Sequence, residues 1–348
     1  MRGADVTAER PLRVVVADDS EVALEVLTSL LREEHGFEVV ATAGDGAAAA
    51  AAVRALRPDA VTMDLQMPGT DGYAGIARIM AEAPTPILVL TGRPEQAVGF
   101  RALSLGALDL LEKPAPDGDL DAYGERLRSR LRLLAGVRVV RHPRGLRGLR
   151  GAADVLAPRP AVARCELVAV GASLGGPRAL ATLLRALPPA FSLPVAVVQH
   201  IAHGFADGLA AWLGQESGRV VRVARDGDAL VPGGVLLAPC GRHLEVERGR
   251  VGLSDAPPID TFRPSVEPLF RSAARVYGRN ACGVLLTGMG RDGAEALRDI
   301  RAAGGTTLAQ DEATSAVFGM PRAALEGGAV DRVLPPAAIA RVLGELAR

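Results

Sequence analysis

The first third of this 348-residue chain alternates between unbroken apolar runs and helical patterns. The runs, which are typical of buried strands in a parallel sheet, are Leu12 to Ala17, Ala60 to Met63 and Pro86 to Leu90. The helical patterns are Glu21 to Leu31, Ala47 to Leu56, Tyr73 to Glu82 and Glu95 to Leu105. This alternation predicts a doubly wound α/β domain, whose ligands bind at the carboxyl ends of the strands.

Three carboxylates, a hydroxyl and an ammonium are predicted to meet at that edge of the sheet. Asp18 and Asp19 follow the first run, Asp64 the second and Thr91 the third, while Lys113 follows a later apolar stretch. Lys113 is the only lysine in a chain otherwise rich in arginine. This indicates that the site requires a compact point charge, which a planar guanidinium does not supply. Clustered carboxylates without histidine or cysteine suit Mg²⁺. Taken alone, Asp18 and Asp19 would be interpreted only as solvated acidic residues at the edge of the sheet.

The combination resembles the receiver domain of two-component response regulators over about residues 12–135. One position departs from that family's usual pattern. Leu110 stands three residues before Lys113, where an aromatic switch residue is usual. A rotating aromatic side chain at this position is therefore not expected to relay phosphorylation in this chain.

The resemblance implies a role for each residue at the edge. Asp64 would be the phosphoacceptor for a sensor histidine kinase, and Asp18, Asp19 and Asp64 would bind the Mg²⁺ needed for phosphorylation. Thr91 would follow the phosphoryl group, and Lys113 would supply its countercharge. Metal and ammonium together would neutralise the phosphoryl oxygens.

Composition limits the domain number and the partners. With 49% hydrophobic residues the chain can bury two cores, and two domains are expected. The formal net charge is zero, which gives no electrostatic case for nucleic acid or an anionic membrane. Neither an apolar signal region nor a run of about 18 apolar residues occurs, so we expect a soluble cytoplasmic protein without direct membrane insertion. Cys165, Cys240 and Cys282 lack CxxC spacing and predict neither disulfides nor zinc.

A segment of different texture separates the predicted domains. Residues 136–164 contain seven arginines, a single acid and several glycines and prolines, which is typical of a linker. Its positive charge would also suit an acidic partner. We therefore predict a receiver domain at 12–135, a linker at 136–164 and a catalytic domain at 165–348.

The second domain begins with a strand that runs into a glycine-rich turn. After the strand Leu167 to Val170, the residues Gly171, Ser173 and Gly175 match the G-x-S-x-G pattern, in which a tight turn exposes a serine hydroxyl. Pro177 suits the first turn of the helix that follows, which is predicted to run through Leu187. Alone the match is weak, because such turns often serve only packing or phosphate binding.

A serine nucleophile needs a base, and the chain has five histidines. His35 is expected late in a receiver helix, His142 in the linker and His243 in a strand over residues 242–247. His200 follows an apolar run and is predicted at the same sheet edge as the serine. His200 and His203 have H-x-x-H spacing, but no third cluster of metal ligands accompanies them.

A third strand, Ala281 to Leu286, is followed by a glycine-rich loop that contains Asp292. An acid at this edge can orient a histidine and stabilise the imidazolium, as in a serine hydrolase triad. The order Ser173, His200, Asp292 differs from the Ser, Asp, His order of α/β-hydrolases and argues against that fold.

The same loop also matches a dinucleotide-binding fingerprint. Gly288, Gly290 and Gly293 form G-x-G-x-x-G, and Asp311 lies some twenty residues on. Such a fingerprint normally opens its domain, whereas this one follows several strands, and it leaves the serine and histidine unexplained. We keep it as an alternative.

Three motifs resemble those of the chemotaxis protein-glutamate methylesterase family. They are residues 170–173, 198–200 and 287–293, and further similar segments are 238–244, 263–266, 310–315 and 318–321. The resemblance implies that Ser173 is the nucleophile, His200 the general base and Asp292 its orienting acid. It also implies two doubly wound parallel-sheet domains, a flavodoxin-like receiver and a Rossmann-like catalytic domain.

The resemblance further implies an activity and its control. The substrate would be a methylated glutamate on a cytoplasmic receptor helix, or a glutamine in some family members, and the esterase would need no cofactor. Backbone N–H groups of Met289 and Leu174 would form an oxyanion hole. Phosphorylation of Asp64 would release a receiver that blocks the site. The alternative is a phosphorylation-controlled receptor-binding module without catalysis.

Overall fold

Two separate parallel sheets account for most of the strands. The computed structural model describes residues 10–92, 96–114, 118–137, 165–201 and 204–348, with the backbone alone at 96–98. Within these ranges the chain divides into two compact units, each with its own parallel sheet. The predicted linker beyond residue 137, His142 and His203 lie outside the described residues, so the predicted domain boundaries stay a prediction.

The first unit carries five parallel strands with the order β2-β1-β3-β4-β5. Its strands are β1 Leu12–Ala17, β2 Phe37–Ala43, β3 Ala60–Asp64, β4 Ile87–Thr91 and β5 Asp109–Glu112. The helices that follow these strands in the chain are α1 Glu21–Leu30, α2 Gly46–Leu56, α3 Gly72–Glu82, α4 Gln96–Leu105 and α5 Leu120–Ala135. This strand order is that of flavodoxin-like folds, as predicted.

The second unit carries seven parallel strands with the order β14-β13-β12-β6-β7-β9-β8, and the pair β10 and β11 forms a separate antiparallel hairpin. The strands are β6 Leu167–Ala172, β7 Val195–Gln199, β8 Val221–Val223, β9 Val235–Leu237, β10 His243–Glu247, β11 Arg250–Ser254, β12 Ala281–Leu285, β13 Thr306–Gln310 and β14 Arg332–Leu334. The helices are α6 Gly176–Ala186, α7 Ala206–Ser217, α8 Val266–Tyr277, α9 Ala294–Ala302, α10 Met320–Glu326 and α11 Pro336–Leu346.

The candidate site is expected at the centre of the second sheet. Strand β6 lies between β7 and β12, so the chain leaves β6 toward one side of the sheet and later returns on the other. A ligand of a doubly wound sheet binds at the carboxyl ends of the strands where the order reverses. The buried core beneath this point joins apolar residues of β6 and β12 to the inner faces of α8 and α9.

The predicted fold class of two doubly wound domains is confirmed, and two local predictions need correction. His35 does not lie late in a helix, because α1 ends at Leu30 and His35 stands in a separate short 3₁₀ turn, Glu33–His35. The serine helix ends at Ala186, one residue earlier than predicted. In the described part of the chain, no helix is long and apolar enough to cross a membrane.

Candidate functional site

The acidic edge of the first sheet forms a compact cluster. Ligand oxygens of Asp18, Asp19 and Asp64 lie within 4.8 Å of one another. The Nζ atom of Lys113 lies 2.8 Å from Oδ2 of Asp18 and 3.1 Å from Oδ1 of Asp64. The structure thus brings together the three carboxylates and the ammonium that the sequence placed at this edge. Three carboxylates are the hard oxygen donors that Mg²⁺ prefers, so the residues fit that metal.

Burial and charge act in opposite directions on this cluster. Burial raises the pKa of Asp64 above its ordinary value, although the ammonium of Lys113 acts the other way. Burial also lowers the pKa of Lys113, but its bonds and charge interactions with Asp18 and Asp64 outweigh that effect and raise it. The lysine is therefore a fixed positive charge near neutral pH, whereas the carboxylate beside it is held less firmly as an anion.

Thr91 and Leu110 lie on the two strands next to the acid cluster. Thr91 is the last residue of β4, and its backbone oxygen accepts a hydrogen bond of 2.9 Å from the N–H of Lys113. Leu110 is buried in β5 opposite Val89. The position where an aromatic switch is usual therefore carries a side chain that belongs to the core.

In the second sheet, the three candidate catalytic residues follow three adjacent strands. Ser173 follows β6, and its N–H donates to the backbone oxygen of Thr287, which lies just after β12. His200 follows β7, and its N–H donates to the oxygen of Ala172 at 3.0 Å. Backbone bonds thus tie the serine turn to the loops that carry the histidine and Asp292.

The histidine and the aspartate form a buried pair. Nε2 of His200 lies 2.7 Å from Oδ2 of Asp292, and their side chains are 6% and 3% exposed. The other ring nitrogen, Nδ1, is buried and has no hydrogen-bond partner among the described residues. A buried polar atom without a partner is costly, and Nδ1 is the ring nitrogen that remains to accept a proton from a nucleophile.

Asp292 is held by more than the histidine. The hydroxyl of Ser265 donates to its Oδ1 at 2.6 Å, and the N–H of Val266, in the first turn of α8, donates to its Oδ2 at 2.7 Å. Burial favours the protonated carboxyl, yet the bond and charge of His200 together with these two donors outweigh it and hold the pKa of Asp292 below its usual value. The carboxylate is therefore fixed and stays ionised.

Two glycines allow the serine turn to pack closely. A Cβ on Gly176 would lie 1.9 Å from Oε1 of Gln199, and a Cβ on Gly288 would lie 2.7 Å from Cβ of Ser173. Neither contact is possible for a real side chain. Close packing therefore explains Gly176 of the serine turn and Gly288 of the Asp292 loop without a bound dinucleotide.

The backbone donors expected for an oxyanion hole are available. Among the described residues, the N–H groups of Leu174 and Met289 donate no hydrogen bond to another protein group. Leu174 is buried, whereas Met289 is 48% exposed. Asp311, the acid of the dinucleotide alternative, instead accepts a bond from the N–H of Thr314 at 3.1 Å in its own turn.

Three residues near the site were not predicted to take part in it. They are Phe262, whose ring stacks on the ring of His200, Ser265, which bonds to Asp292, and His243, whose Nδ1 accepts from the N–H of Ser265. Ser265 had a local signal, because a serine just before a helical pattern predicts an N-cap, and its Oγ does accept from the N–H of Glu267. The other two contacts join residues distant in sequence and have no local signal.

Comparison with known proteins identifies a family for each of the two regions of the chain. Residues 168–343 match the CheB methylesterase family, and residues 14–123 match the response regulator receiver domain. An Anaeromyxobacter dehalogenans relative, protein-glutamate methylesterase/protein-glutamine glutaminase 2, is 68% identical over 98% of this chain and 98% of its own length. A Myxococcus xanthus relative, protein-glutamate methylesterase/protein-glutamine glutaminase 4, is 46% identical over 89% of this chain and 90% of its own. The crystal structure of the Thermotoga maritima CheB methylesterase catalytic domain is 38% identical with a TM-score of 0.50, covering 52% of this chain and 98% of that one.

Proposed function

The chain belongs to the CheB methylesterase family and carries a response regulator receiver domain, and on that premise we propose that Ser173, His200 and Asp292 are its catalytic triad. The observation that carries this assignment is the 2.7 Å bond from His200 to Asp292, which leaves Nδ1 of His200 buried and unpartnered among the described residues. The strand before His200 pairs directly with the strand before Ser173. The chain is thus a protein-glutamate methylesterase with a serine mechanism.

The reaction proceeds as acyl transfer in two halves. Oγ of Ser173 attacks the carbonyl carbon of the glutamate methyl ester, while His200 takes the hydroxyl proton and returns it to the departing methanol. Water then attacks the glutamyl-serine ester, and His200 takes its proton and returns it to Ser173. Asp292 stabilises the imidazolium present midway through each half. When the substrate is a glutamine side chain, the same steps release ammonia instead of methanol.

Each half passes through a tetrahedral intermediate with a negatively charged oxygen. The N–H groups of Leu174 and Met289 are suited to bind that oxygen, because neither is engaged by another described residue. Removing one such donor typically costs about 2.7 to 4 kcal/mol of transition-state stabilisation. No cofactor is needed for these steps.

The receiver supplies the control. A receiver domain implies a divalent metal for phosphorylation, and we propose that Asp18, Asp19 and Asp64 hold Mg²⁺, which supplies positive charge to the phosphoryl oxygens. Asp64 accepts the phosphoryl group from a sensor histidine kinase, and Lys113 neutralises part of its charge. Thr91 is the last residue of the neighbouring strand β4, and its hydroxyl is proposed to contact the modified carboxylate.

Phosphorylation then raises esterase activity toward chemoreceptors. To turn a population from 1:99 to 99:1, the phosphorylated receiver must favour the active arrangement by about 5.5 kcal/mol. The substrates are the cytoplasmic helices of methyl-accepting chemoreceptors, and the kinase acts in the same compartment, so we place this chain in the cytoplasm.

The nucleophile assignment has a direct test. Ser173→Ala removes the only atom that forms the acyl-enzyme bond, so methanol release from a peptide carrying a glutamate methyl ester should fall to background. Phosphorylation of Asp64 by a small phosphodonor should persist, which serves as the control for an intact receiver, and an unfolding curve checks that the unit with Ser173 is folded. If methanol release survives in this variant, Ser173 is not the nucleophile. If neither the parent nor the variant releases methanol, the alternative of a binding module without catalysis is favoured.

A further inference from the structure

One short segment contacts both the base and the acid of the proposed triad. We call residues Pro257 to Ser265 the strap. The ring of Phe262 stacks on the ring of His200, with centroids 4.0 Å apart and planes 9° from parallel. At the end of the strap, the hydroxyl of Ser265 donates to Oδ1 of Asp292 at 2.6 Å. The positions of both catalytic side chains therefore depend on where the strap lies.

The strap contains a turn that its own sequence does not favour. Asp260 and Thr261 have φ values of 45° and 74°, and reciprocal backbone bonds of 3.1 and 2.8 Å join Ile259 to Phe262. Positive φ at both central residues is typical of a type I′ turn, which normally uses asparagine and glycine. A β-branched threonine in this region is strained, so the surroundings must hold the turn in place.

A second buried histidine provides that hold. His243, the first residue of β10, is 1% exposed. Its Nε2 lies 3.1 Å from the backbone oxygen of Pro257, and its Nδ1 lies 3.2 Å from the N–H of Ser265. The oxygen can only accept and the N–H can only donate, so the ring is neutral with its proton on Nε2. His243 thus bonds to both ends of the strap.

We propose that His243 is a positioning residue for the catalytic triad, which acts by fixing the strap so that Phe262 orients His200 and Ser265 orients Asp292. The proposal rests on the proposed function, because it assumes that His200 and Asp292 are catalytic. His200 must alternate between neutral and charged forms while its ring stays in place. The face of Phe262 restricts tilting of the imidazole and attracts its cationic form. A displacement of catalytic groups by about 1 Å can cost about 100-fold in rate.

The test uses three substitutions at one position. His243→Asn keeps an acceptor near the Ser265 N–H and loses the bond to Pro257, whereas His243→Gln keeps a donor for Pro257 and loses the acceptor. Each should lower kcat for the glutamate methyl ester peptide about tenfold. His243→Ala loses both bonds and should lower kcat about 100-fold. KM should change little, since the strap acts on catalytic groups, and kcat is normalised to the folded fraction from unfolding curves.

A matched control separates positioning from stability. Ser272 is also 1% exposed, and its hydroxyl accepts from the N–H of Val246 in the same strand as His243 and donates to the backbone oxygen of Leu269, so its hydrogen bonds do not involve the strap. Ser272→Ala should lower stability while kcat of the folded protein stays within about twofold of the parent. If the His243 variants behave like this control, the positioning role is wrong.

Phe262 gives a second test that does not disturb the buried histidine. Phe262→Leu keeps an apolar contact but loses the stacked face, and should lower kcat about threefold to tenfold. Combined with His243→Ala, it should lose less than the product of the two single effects, because both act through the strap. A fully multiplicative loss would overturn the proposal. The Ser173→Ala result decides the proposed function separately, since an inactive Ser173→Ala with fully active His243 variants rejects only the present inference.

Discussion

Two buried aspartates, one in each sheet, are held in opposite ways. Asp64 and Asp292 are 4% and 6% exposed, so burial alone does not distinguish them. Asp64 is paired with the single ammonium of Lys113, and burial leaves its pKa above the ordinary value. Asp292 accepts three short hydrogen bonds, and these hold its pKa below the ordinary value. Because the two carboxylates are buried to a similar extent, the number and kind of their bonding partners decide whether the pKa lies above or below its ordinary value.

The difference matches the two tasks that we propose. A carboxylate that forms a bond to phosphorus needs an accessible oxygen, so it is held by charge and keeps lone pairs for the metal and the phosphoryl group. A carboxylate that orients a histidine must stay ionised and must not move, so donors occupy its oxygens. Replacing each aspartate by asparagine is therefore expected to act differently: the change at Asp292 should abolish turnover, whereas the change at Asp64 should leave basal turnover intact.

The largest effect is expected at Asp292, whose carboxylate accepts three hydrogen bonds. Asp292→Asn keeps the shape but loses the charge that stabilises the imidazolium of His200, and it favours the wrong ring tautomer. A related substitution in another triad enzyme lowers kcat about 10⁴-fold, and we expect a similar loss of methanol release here. Phosphodonor-dependent labelling of Asp64 serves as the control. Turnover within tenfold of the parent would contradict the role of Asp292.

At the other carboxylate the same change should leave basal turnover intact. Asp64→Asn cannot form an acyl phosphate, so stimulation by a small phosphodonor should be lost completely. Methanol release without phosphodonor is measured in parallel, and we expect it within about twofold of the parent, as for a substitution outside the esterase site. Stimulation that persists in this variant would show that another residue is phosphorylated.

A smaller effect is expected from the charge that holds Asp64. Lys113→Arg keeps the charge, but a planar guanidinium cannot place one nitrogen between Asp18 and Asp64 as the ammonium does. Losing one charge-assisted bond costs about 1.5 to 3 kcal/mol, so stimulation should need about tenfold more phosphodonor or longer exposure. The rate of phosphorylation, measured with labelled phosphodonor, checks this. An unchanged rate would mean that any cation suffices.

The smallest effect concerns stability in acid. Because the folded pKa of Asp292 lies below the unfolded value of about 3.9, its ionisation stabilises the fold fully above that value. This stabilisation is lost as pH falls through the folded pKa. The free energy of unfolding should therefore decrease more between pH 7 and pH 3 in the parent than in Asp292→Asn. Equal decreases in denaturant titrations of the two full-length proteins would contradict the shift.

The sequence predicted the central strands well and the peripheral ones poorly. Strands β1, β3, β6 and β12 are buried along their whole length or nearly so, and continuous apolar runs identify them. Strand β2 has only its two ends fully buried, and its Phe37–Ala43 pattern resembles an amphipathic segment. The three-residue strands β8, β9 and β14 are too short for any periodicity to show. These strands form because they pair with neighbouring strands of the sheet, and their own residues do not predict them.

Candidate site residues were predictable where they follow buried strands. Ser173, His200 and Asp292 stand after the strands β6, β7 and β12, and parallel strands place their carboxyl ends together. The stacking of Phe262 and the bonds of His243 were not predictable, because they join the strap to residues from other parts of the chain. Periodicity reports which face of an element is buried, but it does not report which polar groups meet across the core.

The single lysine also has a practical consequence for chemistry on this protein. Amine-directed acylating reagents find only one ε-amino group, and its nitrogen bridges two carboxylates at the phosphoryl site. Its raised pKa keeps it protonated and slow to acylate. Acylation of Lys113 is therefore expected to report directly on occupancy of that site.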